Sequence, residues 1–96
     1  MIGPIENYIP VGRDNKISRE SLRACTGLPD RSVRRLISDA REHGIPIVSD
    51  PVGGYYMAET EADIRLLMSE LMSRMMKLYA CYDAVVKEAR ARGRIA

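Results

Sequence analysis

Apolar residues in the first half of the chain recur with a helical period in three short segments. Residues at i, i+3 and i+4 lie on one face of a helix, and in the first segment they are Ile5, Tyr8 and Ile9. Prolines border this segment on both sides, which predicts a short helix that ends at the second proline. The same kind of spacing predicts a second helix over residues 19–25 and a third over residues 31–43.

Capping residues mark the ends of the second and third predicted helices. Ser18 is the expected N-cap of the second helix, because its hydroxyl can accept a hydrogen bond from a backbone N–H of the first turn. Gly27 is expected to end that helix in the left-handed conformation. Asp30 is the expected N-cap of the third helix, which Gly44 ends. Ile17, just before the first cap, is predicted as a strand of one or two residues.

A β-hairpin is predicted after the third helix. Residues 45–49 are rich in β-branched side chains, residues 50–54 read Asp-Pro-Val-Gly-Gly and favour a turn, and residues 55–58 form the returning strand. Because successive side chains of a strand point to opposite faces, we expect one of Tyr55 and Tyr56 to pack inward and the other to face solvent. The loop carries an acid and no Lys or Arg, so the hairpin is expected to be mainly structural.

The chain changes character near residue 58, which predicts a domain over residues 1–58 and a separate segment over residues 59–96. The second segment has neither Pro nor Gly until its last four residues. A single long helix is therefore predicted from Thr60 to about Arg92. Thr60 is its expected N-cap, with Asp63 three residues later in the position of a capping box.

Apolar residues of this long helix repeat as a coiled-coil-like seam over about four heptads. The members of the seam are Ile64, Met68, Leu71, Met75, Leu78, Tyr82 and Val85. A domain of 58 residues cannot cover a stripe on the order of 50 Å long. We therefore expect self-association through the seam, as a homodimer or a larger bundle. The alternative is a helix that folds back on its own domain.

Composition and charge narrow the class of protein. Hydrophobic residues make up 46% of the chain and charged residues 29%, as in ordinary water-soluble domains. No apolar run approaches the roughly 18 residues of a membrane span, and the N-terminus lacks the basic and apolar order of a secretory signal. A cytoplasmic location is expected, with Cys25 and Cys81 as reduced thiols packed on apolar faces.

Basic residues concentrate in residues 13–44, where eight Lys and Arg face five Asp and Glu. Arg outnumbers Lys, and its planar fork of donors suits phosphates and guanine edges. On the predicted third helix the apolar stripe is Val33, Leu36, Ile37 and Ala40. The opposite face then carries Arg31, Arg35, Ser38 and Glu42, with Arg34 on its flank.

The order of helix, short strand, helix, turn, helix and hairpin resembles the winged helix-turn-helix family of small bacterial and prophage DNA-binding proteins. The resemblance covers about residues 5–58. Its motifs are Gly12-Arg13-Asp14-Asn15-Lys16-Ile17-Ser18, Ser32-Val33-Arg34-Arg35-Leu36-Ile37 and Gly54-Tyr55-Tyr56. The resemblance implies a mainly α fold with a small β-hairpin, a winged helix-turn-helix followed by a long oligomerisation helix.

If the resemblance holds, the third helix is the recognition helix of a DNA-binding domain. Residues near its N-terminus would reach base edges in the major groove, and the expected guanine contacts are Arg31 and Arg35. Further contacts to base or phosphate are expected from Ser32, Arg34 and Ser38, and contacts to backbone phosphates from Arg13, Lys16 and Arg19. The alternative is an ordinary solvated helix face whose arginines pair with Asp39 and Glu42.

The function expected from these patterns is sequence-specific binding of double-stranded DNA by an oligomeric transcriptional regulator. One alternative is a phage DNA-packaging adaptor like a small terminase subunit, or a replication accessory factor. Another is a winged-helix module that binds an acidic protein. An enzyme is not expected, and neither a cofactor nor a metal site is predicted, because His43 is the only histidine and no nucleophile, base and orienting group stand in a recognisable pattern.

Overall fold

The computed structural model describes residues 3–96, so the first two residues of the predicted 1–58 domain lie outside it. Two 3-10 turns, Ile5–Tyr8 and Arg13–Asn15, precede the regular elements. These elements are α1 (Arg19–Thr26), α2 (Asp30–Glu42), β1 (Ile47–Ser49), β2 (Tyr55–Met57) and α3 (Glu61–Ala91). The fold is mainly helical, with a two-stranded antiparallel hairpin and a long C-terminal helix, as predicted.

Both ends of α1 follow the capping prediction. The Ser18 hydroxyl accepts a hydrogen bond from the Ser21 N–H. At the other end Gly27 has φ 72°, the left-handed conformation that favours glycine, and its N–H donates to the Arg23 carbonyl. The chain then needs only residues 27–29 to turn into α2.

The prediction that Asp30 caps α2 is wrong. Asp30 is the first residue of the helix, the cap position belongs to Pro29, and no side chain makes the capping bond. The carboxylate of Asp30 instead faces Arg19 and Arg34. The helix thus begins one residue earlier than predicted, and the Asp30 carboxylate pairs with two guanidinium groups instead of capping it.

A small aliphatic core lies between α1, α2, the first 3-10 turn and the hairpin. Its buried members are Ile5, Ile9, Leu22, Val33, Ile37, Ala40, Ile47 and Tyr55. The stripe predicted on α2 is thus confirmed, with Leu36 only partly buried at its edge. Burying a side chain of this size contributes about 1.5–3 kcal/mol relative to leaving it exposed, so α2 is held chiefly by this one face.

The hairpin is joined to the segment before α1. Val48 pairs with Tyr56 at the centre of the β1–β2 ladder. On the free edge of β2, Ile17 forms a single antiparallel bridge with Tyr55, with an N–H···O distance of 2.9 Å in each direction. The short strand predicted at Ile17 is confirmed.

Both neighbouring tyrosines of β2 are buried, which corrects the expectation that one faces solvent. Tyr55 is 7% exposed and belongs to the main core, whereas Tyr56 is 1% exposed on the opposite face of the hairpin. The side chains do alternate, but α3 returns across the second face. Leu67 of α3 packs there with Val48 and Tyr56 as a second cluster.

The long helix α3 begins at the predicted cap, and beyond its first turns it projects away from the rest of the chain. Thr60 and Asp63 form a reciprocal capping box at its start. Its 31 residues span about 46 Å, and Leu67 is the one buried residue among them in the part of the chain described. Both cysteines, expected on packed apolar faces, are exposed instead.

In residues 3–96, none of the helices has the length and hydrophobicity that crossing a membrane requires.

Candidate nucleic-acid interface

The solvent side of α2 carries two exposed arginines, Arg31 and Arg35. They lie opposite the buried stripe because a helix advances about 100° per residue. Ser38 is also exposed on this side, and Ser32 is half-buried at its edge. Within the described residues no carboxylate lies within 4.0 Å of Arg31 or Arg35, so the pairing with Asp39 and Glu42 considered above is not seen.

Asp30 pairs with Arg34 of α2 and Arg19 of α1, which lie beside this surface. Its Oδ2 lies 2.9 Å from the Arg34 Nε, and its Oδ1 lies 3.8 Å from the Arg19 Nε. Oδ1 itself is buried without a hydrogen-bond partner among the described residues. Both arginine side chains remain at least half exposed. The carboxylate therefore orients the two guanidinium groups at the start of α2 and cancels part of their charge.

Asp50 holds Arg13 and Lys16, the remaining predicted phosphate contacts. Its Oδ2 lies 3.1 Å from the Arg13 Nε and 3.4 Å from the Lys16 Nζ, and the Asp50 side chain is 0% exposed. Its Oδ1 accepts a 2.8 Å hydrogen bond from the Val52 N–H. That backbone bond lowers the pKa of Asp50, burial opposes the shift, and the two cations lower it further.

Asp50, the acid noted in the hairpin loop, is buried. The loop turns so tightly that the carboxylate folds back beneath it instead of pointing outward. An Asp followed by Pro is a known turn starter whose side chain accepts from the backbone two residues on, and this local signal could have indicated the geometry. The two cations 34 and 37 positions earlier could not be assigned to it by local pattern.

Arg41 is a functional candidate that sequence reasoning missed. It sits on α2 seven residues after Arg34, a spacing that returns to nearly the same flank of a helix. Its Nε donates to the Ile47 carbonyl at 2.8 Å and its Nη2 to the Ser49 hydroxyl at 3.2 Å. The side chain is half-buried and ties the end of α2 to β1. Burial lowers the pKa of Arg41, and the nearby positive charge of Arg74 lowers it further.

The structure brings only part of the predicted set together. Arg19, Arg34 and Ser38 line one cleft beside α2, and Arg41 and Arg74 complete its basic lining. Neither Arg31 nor Arg35 lines that cleft. Of the six predicted cations, Arg31 and Arg35 are unpaired on the outer face of α2. The other four are held in pairs by an aspartate: Arg19 and Arg34 by Asp30, and Arg13 and Lys16 by Asp50.

The predicted oligomerisation seam is exposed along the whole of α3. All seven of its residues count among the exposed large hydrophobic side chains: Ile64, Met68, Leu71, Met75, Leu78, Tyr82 and Val85. Met72, Met76 and Tyr79 are also exposed and widen the apolar face. Ion pairs at i, i+4 spacing, such as Arg65 with Glu61 and Lys87 with Asp83, run along the helix beside it.

Two features therefore stand out in residues 3–96, namely two arginines without an ion-pair partner on the outer face of α2 and an open apolar face on α3. Comparisons of the chain with models of known protein families, with curated proteins and with solved structures found no match.

Proposed function

We propose that this chain binds double-stranded DNA in a sequence-specific way and acts as an oligomeric transcriptional regulator. In this proposal residues 1–58 form a winged helix-turn-helix domain, α2 is the recognition helix and α3 is the oligomerisation helix. The observation that carries the proposal is the pair of exposed arginines, Arg31 and Arg35, which have no carboxylate partner within the described residues.

The arrangement of elements supports the domain assignment. Two helices joined by three residues form a helix-turn-helix, and a hairpin follows the second helix directly. The bridge between Ile17 and Tyr55 adds a short third strand to that hairpin. In domains of this kind the second helix enters the major groove with its N-terminal residues at base edges, which is where Arg31 and Arg35 lie.

Unpaired arginines and aspartate-paired cations would make different contacts with DNA. A bidentate contact from an unpaired arginine to guanine O6 and N7 discriminates by about 1–3 kcal/mol. Arg19 and Arg34, held by Asp30, and Arg13 and Lys16, held by Asp50, suit the phosphate backbone, which carries no sequence information. Each must share its charge with a carboxylate, so its phosphate contact is weaker than that of a free cation.

The exposed seam of α3 supports the oligomeric part of the proposal. Two chains that pair through it would present two recognition helices to one duplex. Half-sites in such a dimer are spaced by about 34–36 Å, one turn of DNA, or a multiple of that length. A palindromic binding site is the expected result.

The test is a selection of bound fragments from a genomic DNA library, repeated with two variants. Arg35→Ala should relax the sequence preference, because it removes a base contact. Lys16→Ala should weaken binding to all sites alike and reduce the salt dependence, because each phosphate contact contributes about 0.9 to the slope of log K against log salt.

Arg65→Ala is the matched control, since this exposed arginine pairs with Glu61 on α3 and lies outside the proposed interface. It should leave both the preference and the affinity unchanged. Equal behaviour of the Arg35 and Lys16 variants would contradict their assigned roles. Failure of the unmodified protein to bind duplex DNA at low salt would favour an interaction module for an acidic protein.

A second candidate is a DNA-packaging or replication adaptor, in which the same domain is mounted on a helical ring or bundle. The width of the apolar face on α3 favours it, because Met72, Met76 and Tyr79 are exposed beside the a/d seam and a dimer would cover only the seam itself. A solution mass above that of a dimer supports the adaptor, and a dimer on a palindromic site supports the regulator.

A further inference from the structure

A cleft of about 660 Å³ is lined by residues of α2, the hairpin and α3. Its walls are basic, with Arg34 and Arg41 on α2 facing Arg74 on α3. Side chains of Ile37, Tyr55 and Leu71 contribute an apolar part of the lining. The volume lies in the range of about 300–1,000 Å³ that small-molecule sites occupy.

The positive charge of Arg41 is not neutralised within the described residues. The side chain is half-buried, and its hydrogen bonds go to a backbone carbonyl and a hydroxyl, both uncharged. No carboxylate of residues 3–96 lies within 4.0 Å of it. A partly buried guanidinium is costly without a counter-charge, and only two of its N–H groups are used, so donors remain for a further acceptor.

Arg74 adds a second positive charge to the same space. Its proximity lowers the pKa of Arg41, while Glu70 acts in the opposite direction. Glu70 also pairs with Arg74 at 3.6 Å, a loose contact for an ion pair, and Glu42 is the acidic residue of the cleft lining itself. Arg34 is already bound to Asp30. The unsatisfied charge is therefore concentrated between Arg41 and Arg74.

We propose that this cleft binds a small organic anion, with a phosphate or carboxylate group between Arg41 and Arg74 and an apolar body against Ile37, Tyr55 and Leu71. Arg41 lies about 120° around α2 from Arg35, so the anion lies apart from the proposed base-contacting arginines, although Arg19, Arg34 and Ser38, which are also proposed DNA contacts, border the cleft. A bound anion joins α2 to α3. Through this junction the anion couples to DNA binding, a step that rests on the proposed function of α2.

The test uses the full chain labelled with ¹⁵N and titrated in the absence of DNA with phenyl phosphate, benzoate, inorganic phosphate and phenol. We expect saturable amide shifts confined to residues around the cleft, such as Ser38, Ser49 and Leu71. An aromatic anion should bind more tightly than inorganic phosphate, because the phosphate lacks the apolar body. Neutral phenol should bind more weakly than the aromatic anions.

Arg74→Gln should weaken the binding of phenyl phosphate by about tenfold, the loss expected for one charge-assisted hydrogen bond. Arg65→Gln is the matched control, because both arginines lie on α3 and pair with a glutamate one turn earlier. Circular dichroism verifies that both variants keep their helices. Equal affinity of the Arg74 variant and the unmodified chain overturns the proposal.

Three other results also overturn it. The first is no saturable shift with either aromatic anion, and the second is shifts spread evenly over the exposed arginines, including Arg31 and Arg35. The third is a short DNA duplex that shifts the same amides and displaces phenyl phosphate, which assigns the cleft to a DNA backbone. Failure of the chain to bind DNA does not affect the proposal, since the anion titration contains no DNA and the duplex enters only the competition experiment.

Discussion

The buried carboxylate of Asp50 connects the hairpin loop to the segment before α1. It binds Arg13 and Lys16, which precede α1, and it accepts a hydrogen bond from the Val52 N–H inside its own loop. A carboxylate without solvent contact is tolerated only when charges and donors surround it. Asp50 is therefore a structural anchor, and it holds the two cations at the base of the hairpin while their side chains stay partly exposed.

Asp50→Asn should lower the free energy of unfolding at neutral pH, because it removes the charge that both cations face. The folded-state pKa of Asp50 is lowered, so its stabilising contribution is complete above the unfolded pKa of about 3.9. That contribution is lost as the pH falls through the folded pKa. Urea denaturation should show a deficit that is constant above about pH 5 and shrinks below about pH 4.

Asp14→Asn is the control for this measurement, since Asp14 is an exposed carboxylate next to Arg13. It should change the stability little at any pH. A deficit of the Asp50 variant that is equal at pH 3 and pH 7 would show that the lost interaction is not that of the charged carboxylate.

At the scale of elements, the hairpin depends on a close approach of its turn to the strand residue Ile17. Gly54 has φ 96°, and a Cβ at this position would lie 2.7 Å from the Ile17 carbonyl oxygen. That oxygen accepts the N–H of Tyr55. The glycine thus lets the turn lie directly over the bridge that joins the hairpin to the segment before α1.

Gly54→Ala should therefore destabilise the protein more than Gly53→Ala. Both positions have a positive φ, which costs about 1–3 kcal/mol for a residue with a side chain. Only Gly54 adds a clash, since a Cβ at Gly53 would meet nothing within 4 Å. Thermal or urea unfolding should show an additional loss of about 1–3 kcal/mol for the Gly54 variant. Equal losses would mean that the turn relaxes away from Ile17.

At the scale of the whole molecule, α3 has two different roles along its length. Its first turns cover the outer face of the hairpin, where Leu67 is 7% exposed. Beyond them the helix projects, and the longest dimension of the molecule is 52 Å. The apolar face there is open, which a single chain in water does not favour. Under the proposed function, Leu67 thus serves folding of the hairpin, whereas exposed leucines further along α3, such as Leu78, serve assembly of chains.

Leu67→Ala and Leu78→Ala should separate these two roles. The first variant should lower the free energy of unfolding by about 2 kcal/mol or more, because it leaves a cavity against Tyr56. Leu78 is 71% exposed, so its variant should leave the dilute chain as stable as before and weaken self-association. Sedimentation and the dependence of Tm on protein concentration measure the second effect.

A concentration-independent Tm for the unmodified protein would contradict assembly through the seam. So would a Leu78 variant that sediments like the unmodified chain at all concentrations. Loss of assembly in the Leu67 variant, with its hairpin still folded, would show that the docked turns also belong to the interface between chains.

The sequence alone determined the helices, the hairpin and, apart from the start of α2, the helix ends, because the signals for them are local. The i, i+4 stripe on α2, the cap at Ser18 and the capping box at Thr60 each involve residues within a few positions of one another. The exposed seam of α3 was also predictable, since a stripe of that length exceeds what a small domain can cover.

The tertiary structure decided which charged side chains are unpaired and which are held in ion pairs. Asp50 lies 37 residues from Arg13, and no periodicity relates residues that far apart. Burial of Tyr56 depends on the direction in which α3 returns across the hairpin, and the basic cleft exists only because Arg41 and Arg74 then face each other. Contacts of this range are set by the packing of whole elements, so local patterns supplied the candidate residues and packing selected among them.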